Sequence, residues 1–314
     1  MGIRMIALDL DGTLLGGDGR VSAPNLAALL AAEEAGIHVA IATGRRHCYA
    51  LHVLRCIGLR DETILVSSNG AVVRSFASEL IERTLMEHAT AEWLCGHLGE
   101  FRNALVVTFD RVQPDGEDSR GALVVEEFED LQGSIAHWMR NNDRYIAHVR
   151  PIEDSLKDDA PIQMMLCGTV ERMRRAEAHM AAQPQIAGVG LHKPDATITL
   201  NRTEYPLRDL SIVDILPAGC SKGSALVRLA ESRGFGADEI MAIGDNWNDL
   251  SMLEIAGYPV LMGNAPLDLH AMALNRGWVT TSDNTADGVA KAIYAALPEL
   301  YPELTEQSRH GYER

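Results

Sequence analysis

The chain opens on a short apolar run from Ile3 to Leu10, interrupted at Asp9, followed by Asp11 and closed by Gly12. A short apolar stretch that stops at a turn residue predicts a strand buried in a parallel sheet. A helix is predicted from Ala23 to Ala35, with Leu26, Leu29 and Leu30 on one side and Gly36 as its stop. The pattern then repeats: a buried strand from Ile37 to Ala42 ends at Thr43-Gly44, and a helix covers Cys48 to Ile57. A third strand runs from Thr63 to Ser67 into Ser68-Asn69-Gly70. Strands and helices alternating through short links predict a doubly wound parallel sheet of the α/β class.

Beyond Leu85 the alternation changes. Helical stretches (Glu87 to Glu100, Leu131 to Asn141, Val170 to Gln183) mix with strands at Leu105 to Phe109, Ala122 to Glu126, Tyr145 to Val149 and Ile162 to Cys167. The parallel pattern resumes with a strand at Ser211 to Leu216, a helix at Lys222 to Arg233 capped by Ser221, and a strand at Glu239 to Ile243 ending in Gly244-Asp245. A helix at Leu250 to Ala256, short strands at Val260 to Met262 and Trp278 to Thr280, and a helix at Val289 to Leu297 complete it. The predicted architecture is a Rossmann-like core (residues 1–85 plus 193–314) with an inserted α+β domain (residues 86–192). The tail from Leu304 to Arg314 is predicted to be disordered.

Composition narrows the classes of partner. Of the 314 residues, 46% are hydrophobic and 23% charged, which suits a globular protein with an ample core. A formal net charge of −16 disfavours general electrostatic binding to nucleic acid or to an anionic membrane. An enzyme this acidic that acts on phosphates needs a local basic site or a bound cation. No apolar run approaches membrane-spanning length, and the N-terminus has a strand pattern, not a signal peptide. The five cysteines are odd in number and never spaced Cys-x-x-Cys, which argues for free thiols in a reducing cytoplasm.

Ligands of open α/β sheets bind beyond the carboxyl ends of the strands. Polar groups stand there after apolar runs: Asp9 and Asp11, Thr43, Asp245, and the segment before Lys222. Each residue type has a use in phosphoryl transfer. A carboxylate such as Asp9 can attack phosphorus and form an acyl phosphate. A second carboxyl, Asp11, can protonate the leaving oxygen and later take a proton from water. Magnesium held by Asp9 and Asp245 would offset repulsion between these acids and the phosphate dianion. Lys222, with the hydroxyl and backbone N–H groups of Thr43 and Gly44, can stabilise charge on the transferred oxygens.

The sequences Asp9-Leu10-Asp11-Gly12-Thr13, Ala42-Thr43-Gly44-Arg45, Lys222, and Gly244-Asp245-Asn246-Trp247-Asn248-Asp249 resemble the four ordered motifs of the haloacid dehalogenase-like superfamily. An insert between the second and third motifs is similar to that of the Cof-type hydrolases, as are Ser67-Ser68-Asn69-Gly70-Ala71 and Gly263-Asn264-Ala265. The resemblance implies a Mg2+-dependent phosphatase acting on a small phosphorylated metabolite. It makes Asp9 the nucleophile and a metal ligand, and Asp11 the general acid/base that lends its backbone carbonyl to the metal. Asp245 is then the third protein ligand, and Asp249 buttresses it or binds through water. Thr43 and Lys222 hold phosphoryl oxygens, assisted by the Leu10 N–H, Gly44 and Asn248. The inserted domain is implied to be a cap over the leaving-group pocket.

Other readings remain. A sugar phosphomutase would share the aspartyl-phosphate and return the phosphate to sugar. Non-catalytic phosphate binding or a phospho-acceptor signalling module would also use Asp, Thr and Lys at strand ends, but receiver domains are smaller and lack an acid at the Asp11 position. Arg45, Arg46 and Asn69 are candidates for contact with the substrate, as are Asp110, Arg111, Glu126 and Arg150 in the insert. There is no Gly-x-x-x-x-Gly-Lys-Ser/Thr loop and no Gly-x-Gly-x-x-Gly after a strand. Oligomeric state is not legible in the chain.

Overall fold

Met5–Leu8 forms β1, buried at every residue, as a strand covered on both faces must be. The structure, a computed structural model, describes residues 2–126, 139–188, 193–205 and 209–301. Next come β2 (His38–Ala42), β3 (Ile64–Ser67), β4 (Val72–Ser75) and β5 (Leu80–Arg83). The second part of the chain supplies β6 (Leu105–Thr108), β7 (Leu123–Val125), β8 (Ile146–His148), β9 (Gln163–Gly168), β10 (Ile186–Ala187), β11 (Ile198–Tyr205) and β12 (Leu210–Pro217). The last part supplies β13 (Ile240–Gly244), β14 (Tyr258–Leu261) and β15 (Val279–Thr280).

Among the described residues these strands form two sheets. The first has the order β15-β14-β13-β1-β2-β3-β4-β5, with β15 through β3 parallel and β4 and β5 antiparallel at the edge. Side-chain alternation along β1 feeds two cores. Ile6 and Leu8 pack with Leu29 and Ile293, while Met5 and Ala7 pack on the other face with Leu226 and Leu253. Helices therefore cover both faces, each buried Leu or Ile contributing about 1.5–3 kcal/mol. β1 pairs with β2 on one side and β13 on the other, so the strand order reverses at β1. The crevice at the carboxyl ends of these three strands is where such sheets bind ligands.

The second sheet, β10-β11-β12-β9-β6-β7-β8, is mixed. Helices His88–His97 and Val170–Ala181 cover one face through Leu94, Met173 and Met180. Here the structure corrects the sequence reading. The strand expected at Ser211–Leu216 in the parallel core is part of β12, antiparallel to both β9 and β11. The second sheet therefore continues to Pro217, past the expected division at 192/193. An apolar run such as Ser-Ile-Val-Asp-Ile-Leu reports burial but not the direction of its neighbours. Of the helix expected at Leu131–Asn141, residues 131–138 lie outside the described residues, as does the tail from Leu304 to Arg314.

Candidate active site

Asp9 follows β1 directly, and its N–H still donates to the Ile243 carbonyl of β13 at 3.0 Å. On the neighbouring strand, Thr43 follows β2 and donates its N–H to the Val66 carbonyl of β3 at 2.8 Å. Asp245 follows β13. The fold thus delivers three polar residues to one edge because each is the first residue beyond a buried strand.

Lys222 approaches from a fourth direction. It is the first residue of the helix Lys222–Ser232, whose start is set by a reciprocal cap. The Ser221 hydroxyl accepts from Ser224 N–H at 3.0 Å, and Ser221 N–H donates to the Ser224 hydroxyl at 2.9 Å. The turn at Ser68–Gly70 presses against this start. Gly70 has φ +101, and a Cβ there would collide with the Ser221 carbonyl, so only glycine permits the approach.

The Lys222 ammonium is fully buried and donates to Asp9 Oδ1 at 2.5 Å and to Asp249 Oδ1 at 2.6 Å. Burial works against its charge, but Asp249 and Asp9 outweigh that and hold its pKa above the ordinary value. The second oxygen of Asp249 accepts from the N–H groups of Asp245 and Asn246 at 2.9 and 3.0 Å, which fixes the turn carrying Asp245. Asp245 is held in addition by the Thr13 hydroxyl at 3.0 Å and by Asn264 Nδ2 at 3.4 Å. Asn264 also donates to the Gly12 carbonyl at 2.9 Å, and Gly12, at φ +84, leaves no room for a Cβ beside Asp245.

Asp9, Asp245 and Asp249 are all buried, and each offers an oxygen within 4.8 Å of the others. One ammonium does not balance three carboxylates. Burial first, then repulsion from Asp249, raises the Asp9 pKa well above the carboxylate range in spite of Lys222. The same two causes push Asp245 up to about 7. An all-oxygen donor set short of positive charge fits a hard divalent cation.

The remaining predicted residues occupy distinct places. Asp11 is half exposed and paired with Arg45, whose Nε and Nη2 reach its two oxygens at 2.7 and 2.5 Å. Thr43 and Gly44 lie in a loop clamped to the next turn: Asn69 N–H donates to the Thr43 carbonyl at 3.0 Å and Ser68 N–H to the Arg45 carbonyl at 2.8 Å. The Leu10 side chain is buried in the core on the Leu29 face. Asn248 is half-buried in the turn before the helix Leu250–Ile255. Arg46 turns away from the carboxylates to pair with Asp118 and to reach Asn142 at 2.6 Å. In the second sheet's loops, Asp110 is engaged by Arg74 at 2.8 Å and Arg111 faces Asp159 at 3.7 Å. Glu126 faces Arg102 and Arg150, at 3.4 and 3.7 Å.

The profile of the haloacid dehalogenase-like hydrolases matches residues 6–293. The chain belongs to this family. Among curated proteins it is 29% identical over 313 residues to the 5-amino-6-(5-phospho-D-ribitylamino)uracil phosphatase YwtE of Bacillus subtilis, covering 95% of this chain and 100% of that one. It is 29% identical over 304 residues to the pyridoxal phosphate phosphatase YbhA of Escherichia coli, with the same coverage. A solved haloacid dehalogenase-like hydrolase from Bacteroides thetaiotaomicron shares the fold, with a TM-score of 0.70 and 24% identity. That match covers 93% of this chain and 99% of the other.

In this haloacid dehalogenase-like hydrolase, sequence reasoning missed three supports of the site. Asn264, which in the sequence carries only a resemblance, ties Gly12 to Asp245. Arg45, a candidate substrate contact from sequence, is also the partner of Asp11. Asn69 donates to Asp214 of β12 at 2.9 Å, linking the Thr43 loop to the second sheet. No local pattern announces these pairs, whose members lie 19 to 252 residues apart. Among the described residues, no helix is long and apolar enough to cross a membrane.

Proposed function

We propose that this enzyme hydrolyses phosphate monoesters of a small metabolite through an aspartyl-phosphate on Asp9, with Mg2+ as cofactor. The observation that carries the reading is the buried Lys222 ammonium set between Asp9 and Asp249, with Asp245 in the same cluster. A structural ion pair needs no third buried acid, whereas phosphoryl transfer uses a nucleophile, a cation site and a fixed positive charge together.

In the first step an Asp9 oxygen attacks phosphorus, the ester P–O bond breaks, and Asp11 donates a proton to the leaving alkoxide. In the second, Asp11 takes a proton from water as it attacks the acyl phosphate, releasing inorganic phosphate and restoring Asp9. Asp11 must leave its pair with Arg45 to reach either oxygen, and an incoming phosphate dianion offers Arg45 a competing partner. Lys222 holds Asp9 in place and faces charge on the phosphoryl oxygens. Thr43, Gly44, the Leu10 N–H and Asn248 complete the phosphate cradle. Asp9, Asp245 and the Asp11 carbonyl would hold the magnesium, which supplies charge neutralisation between carboxylates and phosphate. Asp249 positions Asp245.

We take the second sheet, Leu105 to Pro217, as the body of a cap that lines the leaving-group pocket and favours small substrates over phosphoproteins. The activities of the relatives YwtE and YbhA support a small phosphorylated metabolite, and five free cysteines suit a cytoplasmic location. A phosphate-release screen over a panel of phosphorylated metabolites tests this, with magnesium and after chelation. Release that depends on magnesium supports it. Transfer of phosphate between sugars without release would instead favour a mutase.

A further inference from the structure

Away from the carboxylates, a second group of metal-ligating side chains converges. Cys48 and His52 are four residues apart on the helix His47–Leu54, so they share one face. Opposite them, the loop between β6 and β7 brings Glu117. Cys48 Sγ lies 4.0 Å from His52 Nε2 and 3.7 Å from Glu117 Oε2, and His52 Nε2 lies 2.5 Å from Glu117 Oε1. One atom from each of the three falls within 4.8 Å of the others. The Tyr145 hydroxyl closes the fourth side, 3.1 Å from the sulfur and 2.6 Å from Glu117 Oε2.

We propose that Cys48, His52 and Glu117 form a second cation site, taking a borderline transition cation of the zinc type, that ties the second sheet's loop to the core helix.

The donor chemistry sets the choice of ion. Thiolate, imidazole and carboxylate together suit zinc or cobalt, while magnesium takes oxygen donors, so this site and the carboxylate cluster do not compete for one metal. Tetrahedral zinc with ordinary bond lengths places neighbouring S and N ligands about 3.5 Å apart. The two separations from sulfur, 4.0 and 3.7 Å, need to close by about 0.5 Å or less, and the 2.5 Å between His52 and Glu117 needs to open by about 0.8 Å, within the freedom of those two side chains. Those two are 35% and 28% exposed and leave an entry path to the buried sulfur. A cysteine thiol ordinarily keeps its proton at neutral pH until a metal displaces it. As the S–metal bond forms, that proton passes to solvent, and binding therefore releases protons.

The position gives the ion a structural consequence. Cys48 lies three residues after Arg45, at the start of the helix that continues the Thr43–Gly44 loop, while Glu117 adjoins Asp118, the partner of Arg46. A bound cation would hold this loop of the second sheet against the helix behind the phosphate cradle.

The test is a cobalt titration of the full-length, chelator-stripped protein, read by thiolate-to-cobalt charge-transfer absorption and proton release. One cobalt per chain with that band is expected. The band should be absent in C48S, and affinity should fall at least tenfold in H52Q and in E117Q. D9N should retain the band, since it alters only the carboxylate cluster. No thiolate band in the wild type, or a band unchanged in C48S, would overturn the site. Should C48S fail to fold, H52Q at its partly exposed position decides alone: unaltered cobalt affinity overturns the proposal.

Discussion

Arg45 grips both oxygens of Asp11, at 2.7 and 2.5 Å, although the two residues lie 34 positions apart at the ends of different strands. The pair sits at the mouth of the carboxylate cluster, with Asp11 half exposed, and a substrate phosphate would compete for the guanidinium. Arg45→Ala should raise KM for a phosphate ester about tenfold, the worth of a charge-assisted contact, with a smaller change in kcat. Steady-state kinetics measure this. An unchanged KM would mean that Arg45 serves only to park Asp11.

Lys222→Met leaves Asp9 and Asp249 buried without a counter-ion. Breaking a buried ion pair from one side costs roughly 3–5 kcal/mol, and urea unfolding should register a loss of that order. Phosphate release should fall to background. Lys222→Arg should recover part of the stability but little activity, because a planar guanidinium cannot present one compact charge to both acids.

Asp214 gives a pH dependence with a definite sign. Burial pushes its pKa up to about 7, opposed by the Asn69 hydrogen bond and by Lys222. The folded state therefore keeps a proton that the unfolded chain loses above its ordinary carboxylate value near 3.8. Stability from this group is complete below that value and is lost as pH rises toward 7, by up to about 1.4 kcal/mol per pH unit. Asp214→Asn keeps an acceptor for Asn69 and removes the titration. Thermal melts across this range should show a flatter pH profile for the variant and a higher Tm near neutrality.

Much of the site was legible because parallel strands buried on both faces are continuous apolar runs, and a polar residue that ends one is conspicuous. Asp9, Thr43 and Asp245 stand out in this way, and Lys222 stands beside a serine that reads as a cap. The antiparallel pairing of β11 with β12 was not legible. Strand β11 carries Asn201, Arg202 and Glu204 among its apolar residues, and its pairing with β12 depends on contacts that no local period encodes. β5, at the sheet edge, was missed because it is largely exposed, and β4, though buried, because four residues leave too short a pattern to read. The pairing of Arg46 with Asp118 joins residues 72 positions apart, and charge alone does not say which acid an arginine will find.

Removal of the divalent cation should lower stability as well as activity. With Asp9, Asp245 and Asp249 crowded around one ammonium, magnesium should raise Tm in a concentration-dependent way. Asp245→Asn should abolish most of that rise. Differential scanning calorimetry with and without chelator reads both effects.

The most direct measurement of the catalytic assignment is acid-quenched labelling of the enzyme by a radiolabelled phosphate ester during turnover. The prediction is a base-labile acyl phosphate on the peptide containing Asp9, never exceeding one per chain, and no label or phosphate release in Asp9→Asn. Turnover with no labelled enzyme at any quench time, together with an Asp9→Asn variant as active as the wild type, would contradict it.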